Sequence, residues 1–121
     1  MKKPLVLVID DDQWYAEHCM GILEKAGFRT RHARHALEAI TLMDGEAPSA
    51  LLLDIMLPGS NGIALLNETH SHADLAQIPV VIMSASQVPG RSFEPYGVIG
   101  VIDKNTTTPD AVVATIRRAL G

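Results

Sequence analysis

Disulfides are excluded first, because Cys19 is the only cysteine in the chain and cannot be bridged internally. It falls on the inner face of a predicted helix, where a free cysteine acts as a small hydrophobe, and a reducing compartment follows. Basic clusters are also missing. No Lys/Arg group is larger than Arg117-Arg118 and the formal net charge is −4, which argues against nucleic acid as a direct partner. Those two arginines suit the last turn of a helix, where cations meet the negative end of the dipole. Long hydrophobic runs are absent too. The opening MKKPLVLVIDDD has a short apolar run closed by three acids, so it is neither a signal peptide nor a membrane span. No lipidation motif, internal repeat, linker or low-complexity segment is present. With 121 residues the chain fits one domain, residues 1–121, able to bury one core without disulfides or structural metal. A cytoplasmic location is the expectation.

The chain is organised around ALLLDIMLPGSNG, Ala50 to Gly62. Leu51-Leu52-Leu53 ends in Asp54, and a proline and a Gly-Ser-Asn-Gly turn follow, as for a buried strand that delivers one carboxylate to its carboxyl end. Other segments repeat this plan. Leu5 to Ile9 is a run of Leu, Val and Ile, the pattern of a strand buried on both faces, and it ends in Asp10-Asp11-Asp12. Pro79 to Met83 is another, running into Ser84, and Val98 to Ile102 runs into Asp103-Lys104. Phe28 to His32 is half polar and suits an edge strand.

Helical periodicity fills the gaps. Ala16, Cys19, Met20 and Leu23 recur at helical spacing up to Gly27, with Asp12 as N-cap. Ala36, Leu37, Ile40 and Met43 do so up to Gly45. Asn61 caps a helix carrying Ile63, Leu65 and Leu66, and Thr108 with Pro109 starts a last one whose Val112, Val113, Ile116 and Leu120 face the core. Between Gln87 and Gly97 the pattern fails at Pro89, Gly90 and Pro95, so the fourth of five possible helices is expected to be short or irregular. Alternating strands and helices predict an α/β domain: a five-stranded parallel sheet with helices on both faces.

All strands of a parallel sheet point one way, so Asp10, Asp11, Asp54, Ser84 and Lys104 should converge on its carboxyl edge, where open α/β sheets bind ligands. Three clustered carboxylates repel by about 4 kcal/mol per pair at ~4 Å and an effective dielectric of ~20. A hard divalent cation offsets that cost, and an all-oxygen site with room for water suits Mg²⁺ rather than Zn²⁺. Lys104 adds positive charge, and Ser84 a hydroxyl donor. Cation, ammonium and hydroxyl around one carboxylate are what phosphoryl transfer to that carboxylate needs.

On the motifs VLVIDDD, DIMLPGSNG, VVIMSA and GVIGVIDK, the chain resembles the response-regulator receiver domains of two-component signalling, the CheY-like family, over essentially its whole length. The resemblance implies the flavodoxin-like strand order 2-1-3-4-5. It implies that Asp54 accepts a phosphoryl group from a histidine kinase or a His-containing phosphotransfer protein, and that the change is passed to a downstream protein. Mg²⁺ would be held by Asp11, Asp54 and the backbone carbonyl of Met56, with Asp10 acting mostly through water, and Ser84 and Lys104 would grip the phosphoryl oxygens. Such a domain catalyses its own phosphorylation and dephosphorylation and turns over no external substrate.

Two positions depart from the family pattern. Asn105 stands where proline usually follows the lysine, and Val101 where an aromatic residue usually precedes it by three positions. Output is therefore expected to run through an adaptable segment, Ser86 to Gly97, with Phe93 and Tyr96 changing exposure. Two other readings compete with this one. A haloacid-dehalogenase-like phosphatase shares the Asp, Ser, Lys and Mg²⁺ set, and Asp10 and Asp12 imitate its D-x-D start, but it places its nucleophile after the first strand and needs a longer chain. A receiver-shaped interaction module that is never phosphorylated would fit the altered readout. His18, His32, His35, His70 and His72 lack ligand spacing and are assigned to the surface. Trp14 is placed on the rim of the site or the helix surface.

Overall fold

The computed structural model describes residues 3–55, 62–71, 73, 75–85 and 97–121. The elements run β1 (Leu5–Ile9), α1 (Gln13–Lys25), β2 (Arg29–Ala33), α2 (Ala36–Gly45), β3 (Ala50–Asp54), α3 (Gly62–His70), β4 (Val80–Ser84), β5 (Val98–Asp103) and α4 (Pro109–Ala119). The expected caps at Asn61 and the expected irregular stretch with Pro89, Pro95, Phe93 and Tyr96 lie outside the described residues, as does Met56.

All strand pairs are parallel, in the order β2-β1-β3-β4-β5. β1, β3 and β4 are buried along their full lengths, which is why they read as unbroken apolar runs: helices cover both faces of the sheet centre. Successive side chains point to opposite faces, so each strand feeds two cores. Leu7, Ile9, Leu51, Leu53 and Ile82 pack on one side with Ala39 and Met43 of α2 and Leu65 and Leu66 of α3. Val6, Val8, Leu52, Val81 and Met83 pack on the other with Ala16, Cys19 and Leu23 of α1 and Val112 and Ile116 of α4. Each fully buried Leu or Ile contributes roughly 1.5–3 kcal/mol.

Local chemistry sets the helix ends. The Asp12 carboxylate accepts the Tyr15 N–H at 3.1 Å and caps α1, and Gly27 follows that helix at φ 99°, a left-handed conformation that glycine adopts without strain. Thr108 Oγ1 accepts the Ala111 N–H at 3.2 Å and caps α4, with Pro109 at its start and Arg117 and Arg118 in its last turn. An unusual cap serves α2, where the His35 ring accepts the Glu38 N–H through Nδ1 at 3.3 Å. The inner face of α4 differs from expectation in one respect. Thr115 is buried beside Val112 and Ile116, while Val113 and Leu120 are only partly covered. Its hydroxyl donates to the Ala111 carbonyl at 2.8 Å, so it enters the core with its polar atom satisfied.

Cys19 is buried on the inner face of α1, and its thiol donates to Met83 Sδ at 3.9 Å. Burial, with the negative charge of Asp10 adding to it, pushes the thiol up to about 11 from an ordinary 9.0. The unfolded chain ionises first as pH rises, so this stabilisation is complete below about pH 9 and lost toward about pH 11. Relative to Cys19→Ala, the wild-type chain should lose roughly 2–3 kcal/mol of unfolding free energy across that window, measured by urea denaturation. A constant difference between the two chains would contradict the burial of the thiol.

Gly100 lies where β5 meets α4. A Cβ there would sit 2.9 Å from Thr115 Cγ2, and Thr115 is held by its branched χ1 and its bond to Ala111. Gly100→Ala should therefore lower stability by about 1–3 kcal/mol, seen as a lower urea midpoint with an unchanged slope.

Candidate functional site

The sheet order reverses between β1 and β3, and both strands deliver a carboxylate to that point. Asp10 follows β1 and is fully buried; Asp54 ends β3 and is nearly so. Asp11, beside Asp10, is exposed. Carboxylate oxygens of Asp10, Asp11 and Asp54 all lie within 4.8 Å of one another. The structure thus gathers the three acids that the strand ends suggested.

Lys104, just past β5, reaches back across the sheet edge. Its Nζ donates to Asp10 Oδ2 at 2.7 Å and to Asp54 Oδ2 at 3.2 Å, and its side chain is only 13% exposed. A continuous ladder puts it there: the Lys104 N–H donates to the Ser84 carbonyl at 2.9 Å, and the Ile55 N–H to Met83 at 3.2 Å. Ser84 is buried at the end of β4, in register with Asp103. The ends of β3, β4 and β5 are therefore locked in one frame.

Asp10 is held at every polar atom. Its Oδ1 accepts the Asp12 N–H at 2.9 Å, its own N–H donates to Ala33 at 3.0 Å, and its carbonyl lies 2.7 Å from His32 Nε2. A carbonyl can only accept, so His32 carries its proton on Nε2. This corrects the assignment of His32 to the surface: it is half-buried at the end of β2 and fixes the turn that presents Asp10 and Asp11. Burial raises the Asp10 carboxyl above the ordinary carboxylate value, and the charge of Asp54 adds to this, against the hydrogen bonds from Lys104 and Asp12. Burial alone would lower the Lys104 ammonium; its bonds to Asp10 and the charges of Asp10 and Asp54 outweigh that and raise it. Lys104 and Asp10 thus each oppose the effect of burial on the other's charge.

Two further neighbours were not legible as site residues. The Tyr15 ring lies 4.5 Å from Lys104 Nζ, measured to its centroid. Asn105 donates from Nδ2 to the Ala85 carbonyl at 2.8 Å, tying the loop after β5 to the loop after β4. No described peptide is cis, the bond from Lys104 to Asn105 included. Trp14, next to Tyr15, is 86% exposed, in line with a place on the helix surface.

The donor set fits a hard divalent ion. All three candidate ligands are carboxylates, their oxygens are close enough to share one ion, and exposed Asp11 leaves a side open to water. The Asp54 carboxylate faces an ammonium and two neighbouring carboxylates, with Ser84 at the end of the neighbouring strand. Among the described residues no helix is long and apolar enough to cross a membrane.

Comparison with known proteins agrees with this geometry. The family model for the response regulator receiver domain matches residues 6–117. The polar-differentiation response regulator DivK of Brucella anthropi is 26% identical over 118 residues, covering 96% of this chain and 95% of DivK. The transcriptional regulatory protein GltR of Pseudomonas aeruginosa is 33% identical over 81 residues, which are 67% of this chain but only 34% of GltR. The crystal structure of the NtrX receiver domain from Brucella abortus superimposes with a TM-score of 0.86 at 32% identity, covering 95% of this chain and 97% of that one. Receiver domains are signalling domains that interact with histidine kinases and downstream effectors. With its sheet order, its acidic cluster and its lysine in place, the chain belongs to the response regulator receiver domain family.

Proposed function

We propose that residues 1–121 form one receiver domain in which Asp54 accepts a phosphoryl group from a phosphohistidine, on a histidine kinase or a His phosphotransfer protein. The observation that carries this reading is the Lys104 ammonium bridging Asp54 and Asp10 at the switch point of the sheet. An Asp54 oxygen attacks phosphorus, the phosphorus to nitrogen bond breaks, and the electron pair leaves with the imidazole. Negative charge then spreads over the equatorial oxygens, where electrostatic stabilisation is the main task of the site. Lys104 is already within reach of that position, and the Ser84 hydroxyl supplies a neutral donor.

Asp10, Asp11 and Asp54 would hold Mg²⁺, with the Met56 carbonyl as a further oxygen ligand. When bound, the ion screens the carboxylates from the incoming phosphoryl group. Asp11 is the most accessible of the acids and the natural direct ligand; Asp10, buried and engaged by Lys104 and Asp12, would act mostly through water. The domain turns over no external substrate, resides in the cytoplasm, and signals by changing its affinity for a downstream protein.

Incubation with a small phosphodonor and Mg²⁺ should add one phosphoryl group by intact mass, and Asp54→Asn should abolish that gain. Modification of the variant at the wild-type rate would remove Asp54 from the role, and modification lost in Asp10→Asn alone would point to a dehalogenase-like nucleophile. Mg²⁺ should also raise the melting temperature, since a ligand that binds only the folded state at a hundredfold its Kd stabilises by about 2.7 kcal/mol. Asp11→Ala should lose most of that rise. An undiminished response would exclude direct coordination by Asp11.

A further inference from the structure

We propose that Tyr15 is a positioning residue for Lys104: its ring holds the ammonium where a phosphoryl group on Asp54 would present its oxygens. This rests on the reading of Asp54 as phosphoacceptor. An ammonium has three donors on a flexible stem, and two of them here face Asp10 and Asp54. On a further flank, 4.5 Å away, it meets the face of Tyr15. The ring attracts the cation through its quadrupole while keeping water off that flank. With little of the side chain exposed, the ammonium is confined between one ring and two carboxylates.

The ring is itself placed with care. The cap formed by Asp12 fixes the Tyr15 backbone in the first turn of α1, so a single short segment presents Asp10, Asp11 and the ring together. Burial, with the Cys19 side chain one turn further on adding to it, pushes the phenol up to about 12. The thiol in turn donates to Met83, the residue before Ser84. Tyr15 therefore sits between the loop after β1, the end of β4 and the lysine after β5. A residue that served only the core could be Leu, whose bulk fills such space without a π face. The contact with Lys104 is what requires an aromatic ring.

Beryllofluoride, which forms a phosphoryl mimic on an aspartate in the presence of Mg²⁺, is the probe, and its binding is titrated by the fluorine nuclear magnetic resonance signal of the bound adduct. Tyr15→Phe keeps the ring and should bind within about twofold of wild type, whereas Tyr15→Leu should bind roughly 2- to 30-fold more weakly. The phosphoryl group on Asp54 should be lost correspondingly faster from Tyr15→Leu. Lys104 ε-methylene proton resonances give a readout that packing alone would not move. A ring-current shift should appear in wild type and Tyr15→Phe and vanish in Tyr15→Leu. Should Tyr15→Leu fail to fold, Tyr15→Met takes its place with the same expectations. Equal or tighter beryllofluoride binding by Tyr15→Leu overturns the proposal, and so does an equal loss in Tyr15→Phe. If the wild-type chain binds no beryllofluoride, the phosphoacceptor reading fails, and identical ε-methylene shifts in all the chains would then overturn the role of Tyr15 as well.

Discussion

One ammonium shared by two carboxylates is the interaction on which the site depends. Asp10 is fully buried and Asp54 nearly so, with Asp11 close beside them. Like charges at this separation oppose folding by several kcal/mol unless something intervenes, and breaking a buried ion pair leaves a charge that the interior cannot solvate. Lys104 intervenes from the far end of the sheet, across β3 and β4. Its place is therefore a condition on the whole fold: the ammonium meets both acids only if β1, β3, β4 and β5 end at the same level.

That condition explains why the strands are so tightly registered at one edge. Val8 lies beside Leu52 and His32, Asp54 beside Met83, and Ser84 beside Asp103, so side chains from five strands reach a common rim. The irregularity in the pairing of β4 with β5, between Val80 and Val81, lies at the opposite end. From Val81 onward the pairing is continuous, and it carries Ser84 and Lys104 forward in fixed relation. Errors in strand pairing are absorbed where no chemistry takes place.

Much of this was legible in the sequence because parallel sheets convert a linear rule into a spatial one. Apolar runs ending in Asp10, Asp54, Ser84 and Lys104 predict convergence without any knowledge of distances, since all strands point the same way. The helix caps at Asp12 and Thr108 were equally readable, their chemistry being local. What escaped depends on contacts between elements. His32 looks like any polar residue of an edge strand until its ring is seen on the Asp10 carbonyl. Tyr15 looks like a partly apolar helix position until Lys104, far along the chain, is placed over it. Thr115 breaks the apolar pattern of α4 and yet is buried, because a hydroxyl bonded to the preceding turn costs little in a core.

The departures from the family pattern gain a physical sense from the same contacts. A proline after Lys104 would have no side-chain amide, and Asn105 uses its own to bind the Ala85 carbonyl, joining the loops after β4 and β5 directly. Val101 has no ring and is exposed on β5, and among the described residues the ring that meets Lys104 comes from α1 through Tyr15. Lys104 therefore touches α1 through the Tyr15 ring, while its neighbour in sequence, Asn105, holds the loop after β4, so the ammonium and the two loops share one set of restraints.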